Sequence, residues 1–325
     1  MSKRFRPVSA ALVVTLLGAS LVVTGCGQYS FNSLKAKKAY REANELYKAS
    51  KWREAAERYE AAAAADATLP GVYFFLGNSY DNMYRPSRQD EAENQRVLQE
   101  AIKNYRKAAD VDPEPLMRQR AMEYLVAAYG PEKLNNPSEA EPVVKRMIEM
   151  NPSDENNYFA LSKIYEDAGR YEDAEAALLK AIELKPNEAR VYTSASGFYN
   201  RQGNFEKTIG ALEKAADLNP QDPQGFFMVS TYYWEKAQKD HTLPPKVKKD
   251  YIMRGISYTD RALALNQDYM EALTYKNILL RMQANTETDR KKIDELIKQA
   301  DELRNKAIEL GKKKASTAGD QPAKK

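Results

Sequence analysis

The chain has very little of the chemistry that metal sites and many active sites need. Its 325 residues include one cysteine and one histidine, which excludes an internal disulfide, a paired-cysteine metal knuckle and a two-histidine site. Glycine is also scarce, at 14 residues, and the sequence has no phosphate-binding loop, zinc-protease motif or serine-hydrolase elbow. His241 lies in a loop-like stretch with no marked nucleophile beside it. We therefore predict that the protein is not an enzyme and needs no cofactor or metal.

The chain also lacks a strong charge of either sign. It has 50 Lys+Arg against 46 Asp+Glu, a net charge of +4, and a mean hydropathy of −0.70 that excludes a multispan membrane protein. The basic excess lies at the two ends, in Lys3, Arg4 and Arg6 and in five lysines after Gly311, so residues 26–310 are slightly acidic. A nucleic-acid binder normally shows the opposite balance, and we predict no nucleic-acid partner.

One apolar run is present, at the N terminus, and it ends at the only cysteine. Three basic residues come first, followed by an apolar run over residues 8–23 that only Ser, Thr and Gly interrupt. This order is typical of a secretory signal. The alternative is an uncleaved membrane anchor, but the run is shorter than the roughly 20 residues that a spanning helix needs.

The sequence Val23-Thr24-Gly25-Cys26 resembles the lipobox of bacterial lipoprotein signals, in which an aliphatic and two small residues precede cysteine; Val23 replaces the usual leucine. The resemblance implies that residues 1–25 are removed and that Cys26 carries lipid, including palmitate, at the start of a tether over residues 26–35. Gly27 rather than aspartate follows Cys26. In that family this favours the outer membrane, with the protein facing the periplasm.

Two stretches of the chain, residues 158–186 and 192–220, repeat one pattern at a distance of 34 residues. Each begins with aromatic and small residues at helical spacing, continues through a glycine (Gly169 or Gly203), and ends with a second helical pattern and a proline. The glycine suits the end of a helix, and the proline closes the second helix. The pattern therefore predicts one pair of helices in each repeat.

This pattern resembles the tetratricopeptide repeat, or TPR. Over residues 36–310 the resemblance implies an all-α fold, a right-handed α-solenoid of about six to seven helix pairs with a charged capping helix near residues 288–310. Small residues such as Ala174 and Ala181 are expected to let helices approach closely, and Tyr158, Tyr165 and Tyr171 to fill the core. The register of the repeats is marked by Ala55, Ala101, Ala140, Ala174, Thr208 and Gly255.

In TPR proteins the first helix of each repeat lines a concave groove, and the resemblance places twelve candidate partner-binding residues there. A mixture of aromatic and amide side chains suits an extended or helical peptide. The alternative for the phenylalanines is packing against the neighbouring repeat. The clamp that some TPR domains use for a peptide carboxylate is not matched, because Phe159 and Thr193 stand where lysine is needed. The candidates are Tyr40, Asn44, Tyr47, Phe74, Asn78, Asp81, Phe159, Lys163, Arg190, Asn200, Phe227 and Trp234.

Two insertions and a basic tail interrupt the repeats. Residues 84–88 open one insertion of about 12 residues, and residues 240–249 belong to another of about 13, both predicted at the turn between paired helices and so at one edge of the solenoid. Such an edge can mark a binding face, and tolerated loop growth is the alternative. Residues 311–325, rich in lysine and small residues, predict a disordered tail.

These observations together predict a lipid-anchored TPR scaffold of the bacterial cell envelope. It would bind protein or peptide partners in its groove and catalyse no reaction. A structural envelope protein without a dedicated peptide ligand is the alternative.

Overall fold

The structure is a computed structural model that describes residues 31–319, and these residues are almost wholly helical. They contain fourteen α-helices and no strand, which confirms the predicted all-α class. Cys26 and the signal segment lie outside the described residues. The helices are α1 (Phe31–Lys48), α2 (Trp52–Ala65), α3 (Val72–Met83), α4 (Ala92–Val111), α5 (Pro115–Tyr129), α6 (Pro137–Met150), α7 (Glu155–Asp167), α8 (Tyr171–Leu184), α9 (Ala189–Arg201), α10 (Phe205–Leu218), α11 (Pro223–Lys239), α12 (Pro245–Leu265), α13 (Met270–Ala284) and α14 (Arg290–Gly319).

Consecutive helices pack in pairs, as the repeat pattern predicts: α1 with α2, α3 with α4, α7 with α8, α9 with α10, α11 with α12, and α13 with α14. The chain divides into two compact units. Unit 1 comprises residues up to Ala128 together with Glu132–Leu134, and unit 2 comprises Tyr129–Pro131 and the residues from Asn135 onward. The sequence predicts one solenoid over residues 36–310 and does not indicate this division.

Small side chains occupy the contacts between helices. Ala174 and Ala181 are fully buried, which confirms their predicted packing role. At Gly77, an added Cβ atom would lie 2.9 Å from the Tyr105 ring, so glycine is what lets α3 approach α4 this closely. The expectation for Tyr171 is wrong. Its side chain is 52% exposed, because Tyr171, unlike Phe205 at the same position of α10, has no neighbouring ring to pack against among the described residues.

The turns between paired helices follow the predicted chemistry. Gly169 and Gly203 have φ angles of 73° and 69°, a left-handed conformation that glycine adopts without steric cost. After α7, the N–H of Gly169 donates to the carbonyl of Glu166 and the N–H of Arg170 to that of Tyr165. These bonds satisfy carbonyl groups at the end of the helix, so the predicted capping role of Gly169 is confirmed.

Both insertions lie between paired helices, as predicted. In unit 1, residues 84–91 join α3 to α4 through a short 3-10 turn at Pro86–Arg88. In unit 2, the insertion is a short loop followed by extra turns at the start of α12, which has 21 residues against 14 in α8 and α10. Most of the second insertion is therefore rigid helix rather than loop.

The helices extend further than predicted at both ends. α1 begins at Phe31, inside the predicted tether, and α14 continues to Gly319, inside the tail predicted to be disordered. Residues 312–318 contain no proline or glycine to stop α14. The disorder prediction for residues 320–325 lies outside the described residues.

One hydrogen bond recurs between neighbouring repeats. A tyrosine in the first helix of a repeat donates its hydroxyl to a glutamate in the helix that precedes it, at distances of 2.5 to 3.1 Å. The bonds therefore join one repeat to the next rather than the two helices of a pair. The four Tyr–Glu pairs are Tyr80–Glu60 in unit 1 and Tyr165–Glu141, Tyr199–Glu175 and Tyr233–Glu213 in unit 2.

Candidate partner-binding surface

In unit 1, the three candidates on α1 lie on one face of that helix. Tyr40, Asn44 and Tyr47 follow the i, i+4, i+7 spacing and are each half-buried. The Tyr59 hydroxyl of α2 donates to Asn44 Oδ1 at 2.6 Å. The Tyr47 hydroxyl donates to Asn78 Oδ1 of α3 at 2.5 Å. The candidate face of α1 is thus fixed to both neighbouring helices.

Asn78 and Asp81 belong to a hydrogen-bond network beneath this face. Asn78 Nδ2 donates to the Tyr105 hydroxyl at 3.2 Å, and that hydroxyl donates to Asp81 Oδ2 at the same distance. Lys133 forms an ion pair with the other oxygen of Asp81. Asn78 is buried, and each polar atom that the network joins has a partner, which a buried polar group requires. The network therefore positions the surface and leaves few of these groups free to bind a partner.

Four half-buried or exposed rings lie on this side of unit 1: Tyr40, Tyr47, Phe75 and Tyr124, which we term the unit 1 aromatic surface. Phe75 lies 6.5 Å from Tyr40 and 5.6 Å from Tyr47, measured between ring centroids. Tyr124 is 39% exposed. Aromatic rings that keep exposed faces are typical anchor groups of protein interfaces.

Phe74, a predicted groove residue, lies in the core instead. It is 4% exposed, and its ring packs 5.3 Å from Tyr124 and 6.0 Å from Tyr105. Its neighbour Phe75 takes the outer position, because adjacent residues on a helix point about 100° apart. Phe74 therefore packs in the core between neighbouring helices, which was the alternative to a groove position for the phenylalanines.

Burial raises the pKa of several tyrosines in unit 1. It raises the pKa of Tyr40 to about 12, and the negative charge of Asp112 adds to the shift. Burial also raises the pKa values of Tyr47, Tyr59 and Tyr105. These hydroxyls therefore remain hydrogen-bond donors at any physiological pH.

In the middle of unit 2, ion pairs occupy the predicted groove positions. Lys163 Nζ lies 2.5 Å from Asp167 Oδ1. Arg190 pairs with Glu155, one repeat back along the chain, and donates to Asn156 Oδ1 at 3.0 Å. The candidates Lys163 and Arg190 are exposed but already bound to acidic partners.

A neighbouring ion pair links α9 to α7. Arg201 donates two hydrogen bonds of 2.9 Å to the two carboxylate oxygens of Glu166. Burial by itself would raise the pKa of Glu166, but the Arg201 guanidinium outweighs it and lowers that pKa overall. The carboxylate therefore stays charged. Because Glu166 and Arg201 bind each other, neither charge at this part of the face is left for a partner protein.

The remaining candidates of unit 2 differ in their surroundings. Phe159 is half-buried, and among the described residues no other ring stacks on it. Asn200 is exposed and lines an open cavity of about 490 Å³ with Phe205 and Tyr232. Neither position is part of an aromatic surface like that of unit 1.

Phe227 and Trp234 of α11 meet Tyr275 of α13 in a unit 2 aromatic cluster. The Tyr275 ring lies 5.1 Å from Phe227 and 5.0 Å from Trp234. The Trp234 Nε1 atom is buried and has no hydrogen-bond partner within the described part of the chain. Tyr275 also lines an apolar cavity of about 350 Å³ between α13 and α14. Both predicted residues thus lie against a neighbouring helix pair while keeping part of each ring exposed.

The repeat pattern does not predict Phe75, Tyr124 or Tyr275 as surface residues. Phe75 follows a predicted residue directly, and only the rotation of α3 decides which of the two faces outward. Tyr124 lies in the third repeat, whose pattern is too irregular to assign groove positions. Tyr275 lies in α13, which was not assigned to a repeat. In the sequence, the only indication of an aromatic cluster at this place is the pair of predicted residues Phe227 and Trp234 in α11.

The described residues hold no group of three or more side chains that could ligate a metal ion. Nor does any helix between residues 31 and 319 combine the length and apolar character needed to cross a bilayer.

Comparison with known families identifies tetratricopeptide repeats in two parts of the chain, residues 40–81 and 133–195. No curated protein sequence matches. The chain therefore contains tetratricopeptide repeats, a fold of protein–protein interaction scaffolds.

Similar solved structures include other repeat proteins. A tetratricopeptide repeat protein from Parabacteroides merdae is 14% identical, with a TM-score of 0.46, over 82% of this chain and 99% of its own. YrrB, described as a TPR protein with an unusual peptide-binding site, is 23% identical, with a TM-score of 0.41, over 58% and 89%. MamA is 16% identical, with a TM-score of 0.41, over 69% and 98%.

Proposed function

We propose that the protein is a lipid-anchored scaffold of the bacterial cell envelope that binds a protein partner on the unit 1 aromatic surface and catalyses no reaction. The anchor is Cys26 and the membrane is the outer membrane, with the repeats facing the periplasm. Several acyl chains on one residue give stable attachment, at about 0.8 kcal/mol for each buried CH₂ group.

The observation that carries this proposal is the exposure of the rings of unit 1. Tyr40, Tyr47, Phe75 and Tyr124 lie over a buried hydrogen-bond network that holds their helices in place. Rigid aromatic rings lose little conformational entropy on binding, which favours them as anchors. Because the network is already satisfied, its groups need not rearrange when a partner binds.

The chemistry of this surface favours an extended or helical peptide segment. Flat rings cover apolar side chains of the partner, while hydroxyl and amide groups at their edges can bond its polar groups. The surface has no basic pair that would hold a terminal carboxylate, so an internal segment of the partner suits it better than a chain end.

The test of this surface is capture of partners by the full-length protein from a detergent-solubilised envelope. We expect Tyr124→Ala to lower affinity roughly 30-fold, the effect of losing an anchor worth about 2 kcal/mol. Tyr171→Ala is the matched control, because Tyr171 is a more exposed tyrosine, 52% against 39%, and lies in unit 2. Circular dichroism checks that both variants fold.

Other outcomes of the capture experiment contradict the location. If Tyr124→Ala captures every partner that the wild-type protein captures, the unit 1 aromatic surface is not the site. If Trp234→Ala alone loses partners while staying folded, the site is the unit 2 aromatic cluster.

The lipid anchor has a separate test. Cys26→Ala should abolish incorporation of labelled palmitate in cells, because the chain has no other cysteine. Label that persists on this variant would overturn the proposed attachment.

A second candidate is a structural envelope protein without a dedicated peptide ligand. The ion pairs of Lys163 and Arg190 favour it, because they occupy groove positions with partners from the chain itself. This candidate is tested in cells whose only copy of the protein carries both Tyr124→Ala and Trp234→Ala. Envelope integrity equal to that of wild-type cells would support it.

A further inference from the structure

The first helix of unit 1 has three distinct faces. Ala36, Ala39 and Ala43 are buried in the core, and Tyr40, Asn44 and Tyr47 form the candidate groove face. A third face, turned away from the core, carries Leu34, Lys37, Lys38 and Arg41 at the spacing i, i+3, i+4, i+7. We term it the α1 basic face.

The α1 basic face has a concentrated and largely unpaired positive charge. Lys37 and Arg41 form no ion pair with any described residue, and Lys38 lies 4.0 Å from Glu42, at the limit of an ion pair, with its side chain 72% exposed. Leu34 stands beside these cations and is 56% exposed. An exposed leucine among exposed cations suits a partner surface that carries negative charge over an apolar layer.

The position of this face in the chain limits what can meet it. Only residues 27–30 separate Cys26 from the start of α1. Fully extended, the chain from Cys26 to Phe31 spans at most about 18 Å. With Cys26 in a membrane, this short link lets the α1 basic face reach the headgroups, where electrostatic attraction at physiological ionic strength acts over about 8 Å.

We propose that the α1 basic face binds the anionic phospholipid headgroups of the membrane that holds the anchor; this inference rests on the proposed lipidation of Cys26. Lys37, Lys38 and Arg41 contact phosphate groups, while their alkyl stems and Leu34 enter the headgroup layer. Juxtamembrane basic clusters bind anionic lipid in this way. The contact holds α1 against the membrane and leaves the unit 1 aromatic surface, on another face of the same helix, open to a partner.

The test uses the full-length protein, purified with its lipid from bacterial membranes and reconstituted into vesicles. One set contains phosphatidylcholine alone, and the other contains about one third phosphatidylglycerol as the anionic lipid. A fluorophore on Leu34→Cys reports quenching by a spin label on the lipid headgroups. Ala61→Cys, at an exposed position of α2, is the matched label.

We expect quenching at position 34 to be several-fold stronger in anionic than in zwitterionic vesicles, and to fall when salt is raised. The combined variant Lys37→Glu, Lys38→Glu, Arg41→Glu should abolish the difference. Its charge-matched control is Lys51→Glu, Lys103→Glu, Arg120→Glu, which reverses three exposed basic residues elsewhere in unit 1 and should leave the difference intact.

The outcomes separate this inference from the anchor itself. Flotation of the protein with both vesicle types reports the anchor, and protein that fails to float contradicts the lipidation of Cys26. Protein that floats but shows equal quenching at position 34 in both vesicle types overturns the lipid contact. Loss of a protein partner by the triple-glutamate variant, with quenching unchanged, overturns it in favour of an acidic protein partner.

Discussion

The two units of this protein stabilise their repeats with different polar chemistry. In unit 1, neutral hydroxyl and amide groups join α1, α3 and α4 through Tyr47, Asn78 and Tyr105. In unit 2, charged groups join α7 and α9, through Arg190 with Glu155 and Arg201 with Glu166. One repeat architecture therefore supports two kinds of contact between neighbouring helices.

This difference predicts different responses to the solvent. A buried neutral hydrogen bond is insensitive to salt, and leaving one of its partners unsatisfied is costly. The ion pairs Arg190–Glu155 and Arg201–Glu166 each join a half-exposed arginine to a largely buried glutamate, so salt screens them in part and their contribution is modest. We therefore expect substitutions in the unit 1 network to be more damaging than those in the ion pairs of unit 2.

The largest effect is expected where the unit 1 network depends on close packing. Gly77→Leu would place side-chain atoms against the Tyr105 ring and the Ala101 carbonyl, which lie only 2.9 and 3.1 Å from the point that a Cβ atom would occupy. We expect a loss of about 3 kcal/mol in the free energy of unfolding, the upper part of the range for overpacking. Urea unfolding measures it, with hydrogen exchange to show that unit 1 is the part affected.

Gly210→Leu in unit 2 is the control for this prediction. Gly210 lies in the middle of α10 with open space around it, so the new side chain should stabilise the helix by up to about 1 kcal/mol. Equal effects of the two substitutions would contradict the packing role of Gly77.

A smaller loss is expected when one hydroxyl is removed from the network. Tyr105→Phe leaves the buried amide of Asn78 without its acceptor and should cost about 1 to 3 kcal/mol. Tyr199→Phe in unit 2 removes a hydroxyl from Glu175, which keeps Lys207 as a partner, and should cost less than about 1 kcal/mol. Thermal melts of both variants at low and high salt would reveal any reversal of this order.

The smallest effect is expected at the ion pair between α7 and α9. Arg201→Met should cost at most about 1 kcal/mol, because the largely buried Glu166 keeps Gln202 and Lys163 as partners, and the cost should fall in concentrated salt. Because Arg201 lowers the pKa of Glu166, the contribution of the pair is present above the ordinary glutamate pKa and is lost as the pH falls below about 4.5. Hydrogen exchange in α7 at neutral and acid pH checks this. If wild-type and Arg201→Met proteins still differ in the hydrogen exchange of α7 at acid pH, the prediction is wrong.

The repeat register could be predicted from the sequence because it depends on residue size. Ala174, Ala181 and Thr208 are buried where the pattern places them, and Gly169 has the positive φ that its capping role requires. Side-chain volume is a property of the residue itself, so a period of small residues indicates which faces of the helices meet.

The candidate surface was less predictable because it depends on how helices rotate. Phe74 and Phe75 are adjacent and chemically identical, and only the packing of α3 buries one and leaves the other at the surface. The pairing of Arg190 with Glu155 likewise depends on where neighbouring repeats place their side chains, although its separation of 35 residues, close to one repeat, was a signal available in the sequence.

The Tyr–Glu pairs have a consequence for how the chain accommodates extra sequence. Each bond ties a repeat to its neighbour, while the turn between the two helices of a pair lies outside these ties. A repeat can therefore lengthen at that turn without losing its contacts with the next repeat. Those contacts between neighbours are what make repeat proteins fold cooperatively. Tyr80 and Tyr233 both form their bonds just ahead of the two lengthened turns. Those turns are the places where a peptide tag or a reporter domain could be grafted into the protein without unfolding it.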